Sequence, residues 1–276
     1  MNLISNFSIN KKEYKLNISG KVANSSNIVI IEREDNIILK TKWCNKGYVN
    51  LKLLDNTTQK LLQNSIISYL TYIINDLFKS VNIKCNDFIN YHKIISNEQH
   101  YDLLRHLDEG ISFDEINFDK RILEKAVSKV LGVEVSTENK KSNEINPNIF
   151  HFRIVRPKQN DFNPPHKDIY LNRLKNGVNL YMPILGSNEF SSLPLLPGSH
   201  LFNEKDITKT ENGCIINNKK FTVPAVLKTT YGLNLIRPNP SIDEIMLFSP
   251  YLIHGGGLNE NLDTTRVSME LRFWRV

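Results

Sequence analysis

From Phe150 onward the chain changes texture, and that change restricts its fold more than any other feature. FHFRIVRP, GVNLYMPIL, SLPLLPG, FTVPAVL, EIMLFSP and TRVSMELRFWRV are short runs rich in β-branched, aromatic and aliphatic residues, separated by Pro, Gly and Asn. Evenly spaced short strands with turn residues between them point to a sandwich or barrel. The part before Phe150 reads differently. After Asp55 and Asn56, apolar residues recur at Leu62, Ile66, Leu70, Ile73, Ile74 and Leu77, one face of an amphipathic helix. Asp119 is placed to cap a second helix carrying Ile122, Leu123, Ala126, Val127, Val130 and Leu131, which stops at Gly132. A third helix covers Glu98 to Leu107. Ahead of these, the runs NIVIIE and IILKTKW flank the polar turn REDN and predict a hairpin. Residues 136–148 read as a loop, and the polar stretch from Phe202 to Lys220 as a long connection of the kind that serves as a lid.

Helices first and strands second give one 276-residue domain, mainly β, in which strands and supporting helices of residues 1–149 buttress a β core of residues 150–276.

Three segments of the β part carry residues suited to chemistry. In PPHKDIY, His166 and Asp168 stand two apart, so on extended backbone an imidazole and a carboxylate project to one face. Taken alone, the segment also reads as a surface turn after two prolines. In EIMLFSPYLIHGGG an apolar strand ends at His254, before three glycines. By itself that histidine is equally a wet strand end. In TRVSMELRFWRV, Arg266, Ser268, Glu270 and Arg272 alternate with Val267, Met269, Leu271 and Phe273, giving a strand with one polar face. That face either meets solvent or lines a barrel interior. In the second case Arg266 and Ser268 present a guanidinium fork and a hydroxyl together, a pair suited to a carboxylate. Two histidines and one carboxylate leave metal positions open on one side, the facial triad of non-haem iron(II) oxygenases.

With HKD at His166–Asp168, LPGSH at Leu196–His200, IHGG at Ile253–Gly256, LNEN and then TTRVS ending at Ser268, the sequence resembles the phytanoyl-CoA dioxygenase-like branch of the Fe(II)/2-oxoglutarate oxygenases. The resemblance runs from about Phe150 to Val276, and GYVNLKLLDNTTQKLLQNSI is similar to that family's entry into its fold. It implies a double-stranded β-helix, the cupin-like jelly roll, with an N-terminal helical buttress. It implies that His166, Asp168 and His254 bind Fe(II), that Arg266 and Ser268 hold the tail of 2-oxoglutarate, and that O2 is the second co-substrate. Asn179 and Tyr181, on one face of the strand after HKD, are implied cofactor or supporting contacts, Tyr181 being equally readable as packing. His200 reads as a hydrogen bond to a neighbouring turn or as a substrate contact. Of Arg153 and Arg156, which face opposite ways on FHFRIVRP, one reaches substrate or both lie on a solvated edge. The implied reaction is hydroxylation of a small molecule in a biosynthetic pathway, with 2-oxoglutarate leaving as succinate and CO2. The acidic residue at 168 argues against halogenation, which needs that position open for halide. Two rivals remain: a non-catalytic small-molecule or metal-binding module on the same scaffold, and a protein or peptide hydroxylase with an open cleft near Phe202–Lys220.

Composition limits the partners. A net charge of +6 and a pI near 9.0 suit an anionic substrate, and no basic stripe interleaved with aromatics marks a nucleic-acid surface. Three scattered cysteines, no signal-peptide core at the start and no long uninterrupted apolar stretch point to a cytoplasmic protein that neither enters nor spans a membrane.

Overall fold

In the computed structural model of this protein, residues 2–23, 37–107, 110–139, 149–159 and 163–276 are described. Strands β1 (Asn2–Ile9) and β2 (Lys12–Ser19) form an antiparallel hairpin. Its two turn residues, Asn10 and Lys11, have φ of 49° and 71°, the left-handed pair that a two-residue hairpin loop requires. The hairpin expected from residues 27–43 is a correction. Its first run and its turn lie outside the described residues, and Ile37–Lys40 is a 3-10 turn whose Ile37 and Ile38 are buried.

After β3 (Tyr48–Leu51) comes α1 (Asn56–Leu77), opened by Asp55, whose carboxylate accepts the Thr58 backbone N–H at 2.9 Å. Leu62, Ile66, Leu70 and Ile74 form its fully buried stripe. A single turn, α2 (Tyr91–Ile94), precedes α3 (Asn97–Leu107) and the short β4 (Ile111–Ser112). Next is α4 (Lys120–Leu131), capped by Asp119 at one end and by Gly132, with φ of 69°, at the other. Ser136, expected to begin a loop, instead ends β5 (Val135–Ser136), paired with the far end of the last strand. The rest is β6 (Ile149–Val155), β7 (Gly177–Leu185), β8 (Ile207–Lys209), β9 (Cys214–Ile216), β10 (Lys219–Phe221), β11 (Val226–Thr229), β12 (Asn234–Leu235), β13 (Ile245–Phe248) and β14 (Arg266–Arg275).

Seven strands make the largest sheet, in the order β3-β13-β7-β14-β6-β4, with β5 also paired to β14 and every neighbour antiparallel. One face is apolar. Leu180 and Met182 of β7, Leu247 of β13, Val267, Met269, Leu271 and Phe273 of β14, and Phe150, Phe152 and Ile154 of β6 share a core with the stripes of α1, α3 and α4. The helices therefore buttress this sheet, and burial of their apolar stripes is what holds them there. The opposite face carries Asn179, Tyr181, Arg266, Ser268, Glu270 and Arg272.

Against that polar face lies a second layer. One part is the sheet β10-β9-β2-β1-β12, and another is the pair β8-β11. Ser5 of β1 donates its hydroxyl to the Val226 carbonyl, and the Val226 N–H donates to the Pro165 carbonyl. Single β-bridges then join His166 to His254, His254 to Leu195, and Leu195 to Ile236. The N-terminal strands thus complete the layer that carries both histidines, in addition to the helical support expected of residues 1–149. No helix among the described residues is long and apolar enough to cross a membrane.

Candidate metal centre and the cavity beside it

His166 and His254 are a hydrogen-bonded antiparallel pair. Each backbone N–H donates to the other's carbonyl at 2.9 Å, so their side chains leave the ladder on one face. The ring centroids are 4.4 Å apart. Each ring is fixed by its Nδ1, which donates to a carbonyl two residues earlier: Pro164 at 2.8 Å for His166 and Leu252 at 2.9 Å for His254. A carbonyl only accepts, so Nδ1 carries a proton and Nε2 is the ring atom turned toward Asp168. Asp168 Oδ1 lies 3.3 Å from His166 Nε2 and 3.5 Å from His254 Nε2. These three buried ligand atoms all fall within 4.8 Å of one another.

The other oxygen of Asp168 is occupied. Its Oδ2 accepts Asn179 Nδ2 at 2.9 Å and Arg272 Nε and Nη2 at 3.2 and 3.0 Å. That arrangement aims Oδ1 at the two imidazoles. Burial opposes ionisation of Asp168, but the Arg272 guanidinium and the two histidines outweigh it and hold the carboxyl well below its usual range. For His254, burial disfavours the charged ring, and the facing Asp168 carboxylate more than offsets this, raising the pKa above 6.5. Two imidazole nitrogens and one carboxylate oxygen, all buried, with their remaining polar atoms already bonded, suit a divalent transition metal with open positions.

Gly255 makes this packing possible. Its φ is +99°, and a Cβ there would meet the Pro164 carbonyl at 2.8 Å and His166 Nδ1 at 3.0 Å. A side chain at 255 would displace the very bond that orients His166.

The remaining candidates fall in different places. Ser268 is fully buried, and its hydroxyl has no hydrogen-bond partner among the described residues. Arg266, 1% exposed, donates Nη1 to the Ser191 carbonyl at 2.9 Å from the same face of β14. A buried guanidinium beside an orphaned buried hydroxyl is a fitting cradle for a small carboxylate. Tyr181 donates or accepts at Ser187 Oγ, 2.9 Å away, and packs with Phe248 and Leu252 beside His254. Asn179 acts on Asp168, which makes it a positioning residue for the triad. Arg153, on β6, bonds Glu270 at 3.2 Å and lines the cavity described below.

Two substrate candidates lie outside the cavity described below. Arg156 points away from the triad into the helical layer, donating to Asn97 Oδ1 at 2.6 Å and the His92 carbonyl at 2.9 Å. His200, fully buried, bonds the Cys44 carbonyl at 2.6 Å and packs on Gly47, where a Cβ would come within 2.5 Å of its ring. It fastens the 44–47 turn, the hydrogen-bonding role its place in LPGSH suggested. Arg272 was absent from the sequence candidates, although the alternation of β14 already put it on the polar face with Arg266 and Ser268. Its partner could be found only from the register, which sets Arg272 opposite Asn179.

Beside the triad opens a cavity of about 550 Å³, with His166 and Asp168 in its floor. Leu104 and Leu107 of α3, Leu171 and Leu174, and residues 219–223 supply its walls. Arg266, Ser268 and His254 are not among the residues that line it.

No protein-family model and no curated protein matches the chain. Solved structures do. The chain is similar to EvdMO1 at 18% identity and a TM-score of 0.43, covering 84% of this chain and 48% of that one. It is similar to EctD from S. alaskensis, solved with 2-oxoglutarate and 5-hydroxyectoine, at 12% identity and 0.46, covering 94% and 83%. It is also similar to the epimerase SnoN, solved in complex with Fe3+, alpha ketoglutarate and nogalamycin RO, at 10% identity and 0.45, covering 85% and 81%. The chain thus spans about half the length of EvdMO1 and most of the length of the other two.

Proposed function

We propose that this protein is an Fe(II)- and 2-oxoglutarate-dependent oxygenase that hydroxylates a small molecule on a double-stranded β-helix scaffold. The observation that carries this reading is the convergence of His166 Nε2, His254 Nε2 and Asp168 Oδ1, each turned inward by bonds to its other polar atom. When bound, iron with 2-oxoglutarate and O2 supplies an oxidant strong enough to remove hydrogen from an unactivated carbon, 2-oxoglutarate leaving as succinate and CO2.

The chain's own residues do the rest. The two imidazoles and Asp168 hold the ion from one side. Arg266 and Ser268 bind the far carboxylate of 2-oxoglutarate, the guanidinium through its fork and the hydroxyl by donation. Arg272 and Asn179 keep the Asp168 carboxylate ionised and oriented, and Phe248, Leu252 and Tyr181 exclude water beside His254. The walled cavity on the His166–Asp168 side supports a small-molecule substrate over a peptide lying in an open cleft. An aspartate at 168 supports hydroxylation over halogenation.

The test is succinate formation from 2-oxoglutarate by the purified protein with Fe(II) and ascorbate under air, alongside direct titration of Fe(II) and 2-oxoglutarate. Stoichiometric binding of both, with slow substrate-independent succinate release, is the expected result. A protein that binds neither is not an oxygenase.

A further inference from the structure

Behind the metal loop, on the side away from the triad, lies a second cluster of charge. Lys167 stands between the two ligands His166 and Asp168 on extended backbone, with φ of −112° and ψ of 133°, so its side chain leaves the chain on the opposite side from theirs. It is buried, and its Nζ donates to Glu204 Oε1 at 3.0 Å. The other oxygen of Glu204 accepts Tyr170 Oη at 3.2 Å and Lys209 Nζ at 3.0 Å. Lys209 Nζ also lies 4.6 Å from the centre of the Tyr170 ring. One buried carboxylate thus holds the residue before Asp168 and the residue two after it.

The element that carries Glu204 is itself fastened to this loop. Glu204 opens a 3-10 turn that leads into β8, β8 pairs with β11, and the Val226 N–H of β11 donates to the carbonyl of Pro165, the residue before His166. Tyr170 and Phe202 pack on the apolar cluster of Leu196, Ile207, Val226 and Ile253. From the large sheet, Arg272 and Asn179 hold Asp168 Oδ2. Asp168 is therefore stretched between two layers, its side chain bonded to the large sheet and its main chain tied through Lys167 and Tyr170 to the second layer. Stability alone is a poor reason for such a cluster. A buried ammonium and carboxylate lose their hydration, and apolar residues of similar volume often fill the space at equal or lower cost. What directed, charge-assisted hydrogen bonds add is a fixed position.

We propose that Glu204 is a positioning residue for the metal centre. By holding Lys167 and Tyr170 it fixes the main chain on both sides of Asp168, and so sets where Oδ1 meets His166 Nε2 and His254 Nε2 against the hold of Arg272 on Oδ2. The turn bonds from Tyr170 N–H to the Lys167 carbonyl and from Leu171 N–H to the Asp168 carbonyl are internal to the loop and move with it. The anchor has to come from outside, and Glu204 supplies it. This assignment rests on the metal-binding part of the oxygenase reading.

The test is anaerobic titration of the full chain with Fe(II) and, separately, with Co(II), whose visible absorption reports ligand geometry, alongside urea melts of the metal-free proteins. One variant is Glu204→Gln, which loses the charge at nearly constant volume. The other is Lys167→Met/Glu204→Leu, which removes both charges of the buried pair together and leaves Lys209 and Tyr170, each partly exposed, to meet water. Both are expected to bind Fe(II) and Co(II) about tenfold more weakly, the loss usual for groups that orient a metal ligand, and to show altered Co(II) bands. The double variant separates positioning from folding, because its urea midpoint is expected at or above that of Glu204→Gln while its metal affinity stays low. Glu211→Gln, at an exposed acid further along the same segment, serves as control and leaves every readout unchanged. Where Glu204→Gln fails to fold, the double variant carries the test. Wild-type affinity and spectrum in either folded variant overturns the proposal and leaves the network a purely structural one. Failure of the wild type itself to bind either ion overturns the metal reading, and this one with it.

Discussion

The two faces of β14 do opposite work with adjacent residues. Val267, Met269, Leu271 and Phe273 are buried against the helical layer, and Arg266, Ser268, Glu270 and Arg272 share the opposite face, from which Arg272 reaches Asp168. Both faces are inaccessible to water for most of their length, so the contrast is one of chemistry and not of exposure. The apolar face gains stability by removing hydrocarbon from water. The polar face costs stability wherever its charges are desolvated, and it is tolerable because each charge has a partner. Function has been concentrated on the face that the helices do not need.

Substitutions on the two faces should therefore fail differently. The largest effect is expected from Asp168→Ala, which removes one of three metal ligands. Succinate formation falls below detection, and the variant still shows a folded near-ultraviolet spectrum. Residual turnover within tenfold of wild type would mean another group completes the centre. Phe273→Ala, on the far side of the same sheet, should cost about 3–5 kcal/mol in a urea melt, the range for deleting a fully buried aromatic. The folded fraction should still bind Fe(II) with wild-type affinity, and a loss of iron affinity would show that the two faces are coupled. Arg266→Lys keeps the charge but loses the fork. The 2-oxoglutarate concentration for half-maximal succinate formation rises about tenfold while iron binding is spared. An unchanged requirement moves the carboxylate cradle elsewhere.

One further effect, on stability alone, is shared by both regions. His100, in the helical layer, and His151, beside the polar face, both have pKa values depressed to about 4, burial being the first cause in each. Unfolded histidine titrates near 6.5, so between those values the unfolded chain holds more protons. Stability is full above about 6.5 and falls as pH drops toward 4, by up to about 1.4 kcal/mol per pH unit for each group. Denaturant melts at pH 7, 5.5 and 4.5 check this, and a flat profile would contradict the burial of both rings.

What the sequence revealed follows from how local each signal is. The helices α1 and α4 were legible because cap, periodic stripe and stop lie within one short window, Asp119 to Gly132 being the clearest case. His166 and Asp168 were legible because extended backbone sends both to one side. Alternation along β14 marked its polar face. Three features were not legible. Arg272 needs the β7–β14 register to bring it to Asp168. The buried network of Lys167, Lys209 and Tyr170 on Glu204 joins residues 34 and 37 positions apart, and nothing in LFNEKD distinguishes Glu204 from a solvated acid. In the first hairpin the short-strand texture is legible but the turn is not, because Asn-Lys is a weak turn signal.

The reciprocal main-chain bonds between His166 and His254 have a consequence for loading. Two of the three donors are held in place by the peptide ladder and by carbonyls behind each ring, so the socket is shaped by folding itself and not by its ion. Capture is then a docking event, unlike a zinc finger, where binding and folding are one transition. A rigid socket of this kind ranks divalent ions by intrinsic affinity, and cobalt, nickel and copper stand above iron in that order. Which ion the protein carries in a cell would then be set by supply, and heterologous expression in metal-rich medium is the setting in which the wrong one would be found.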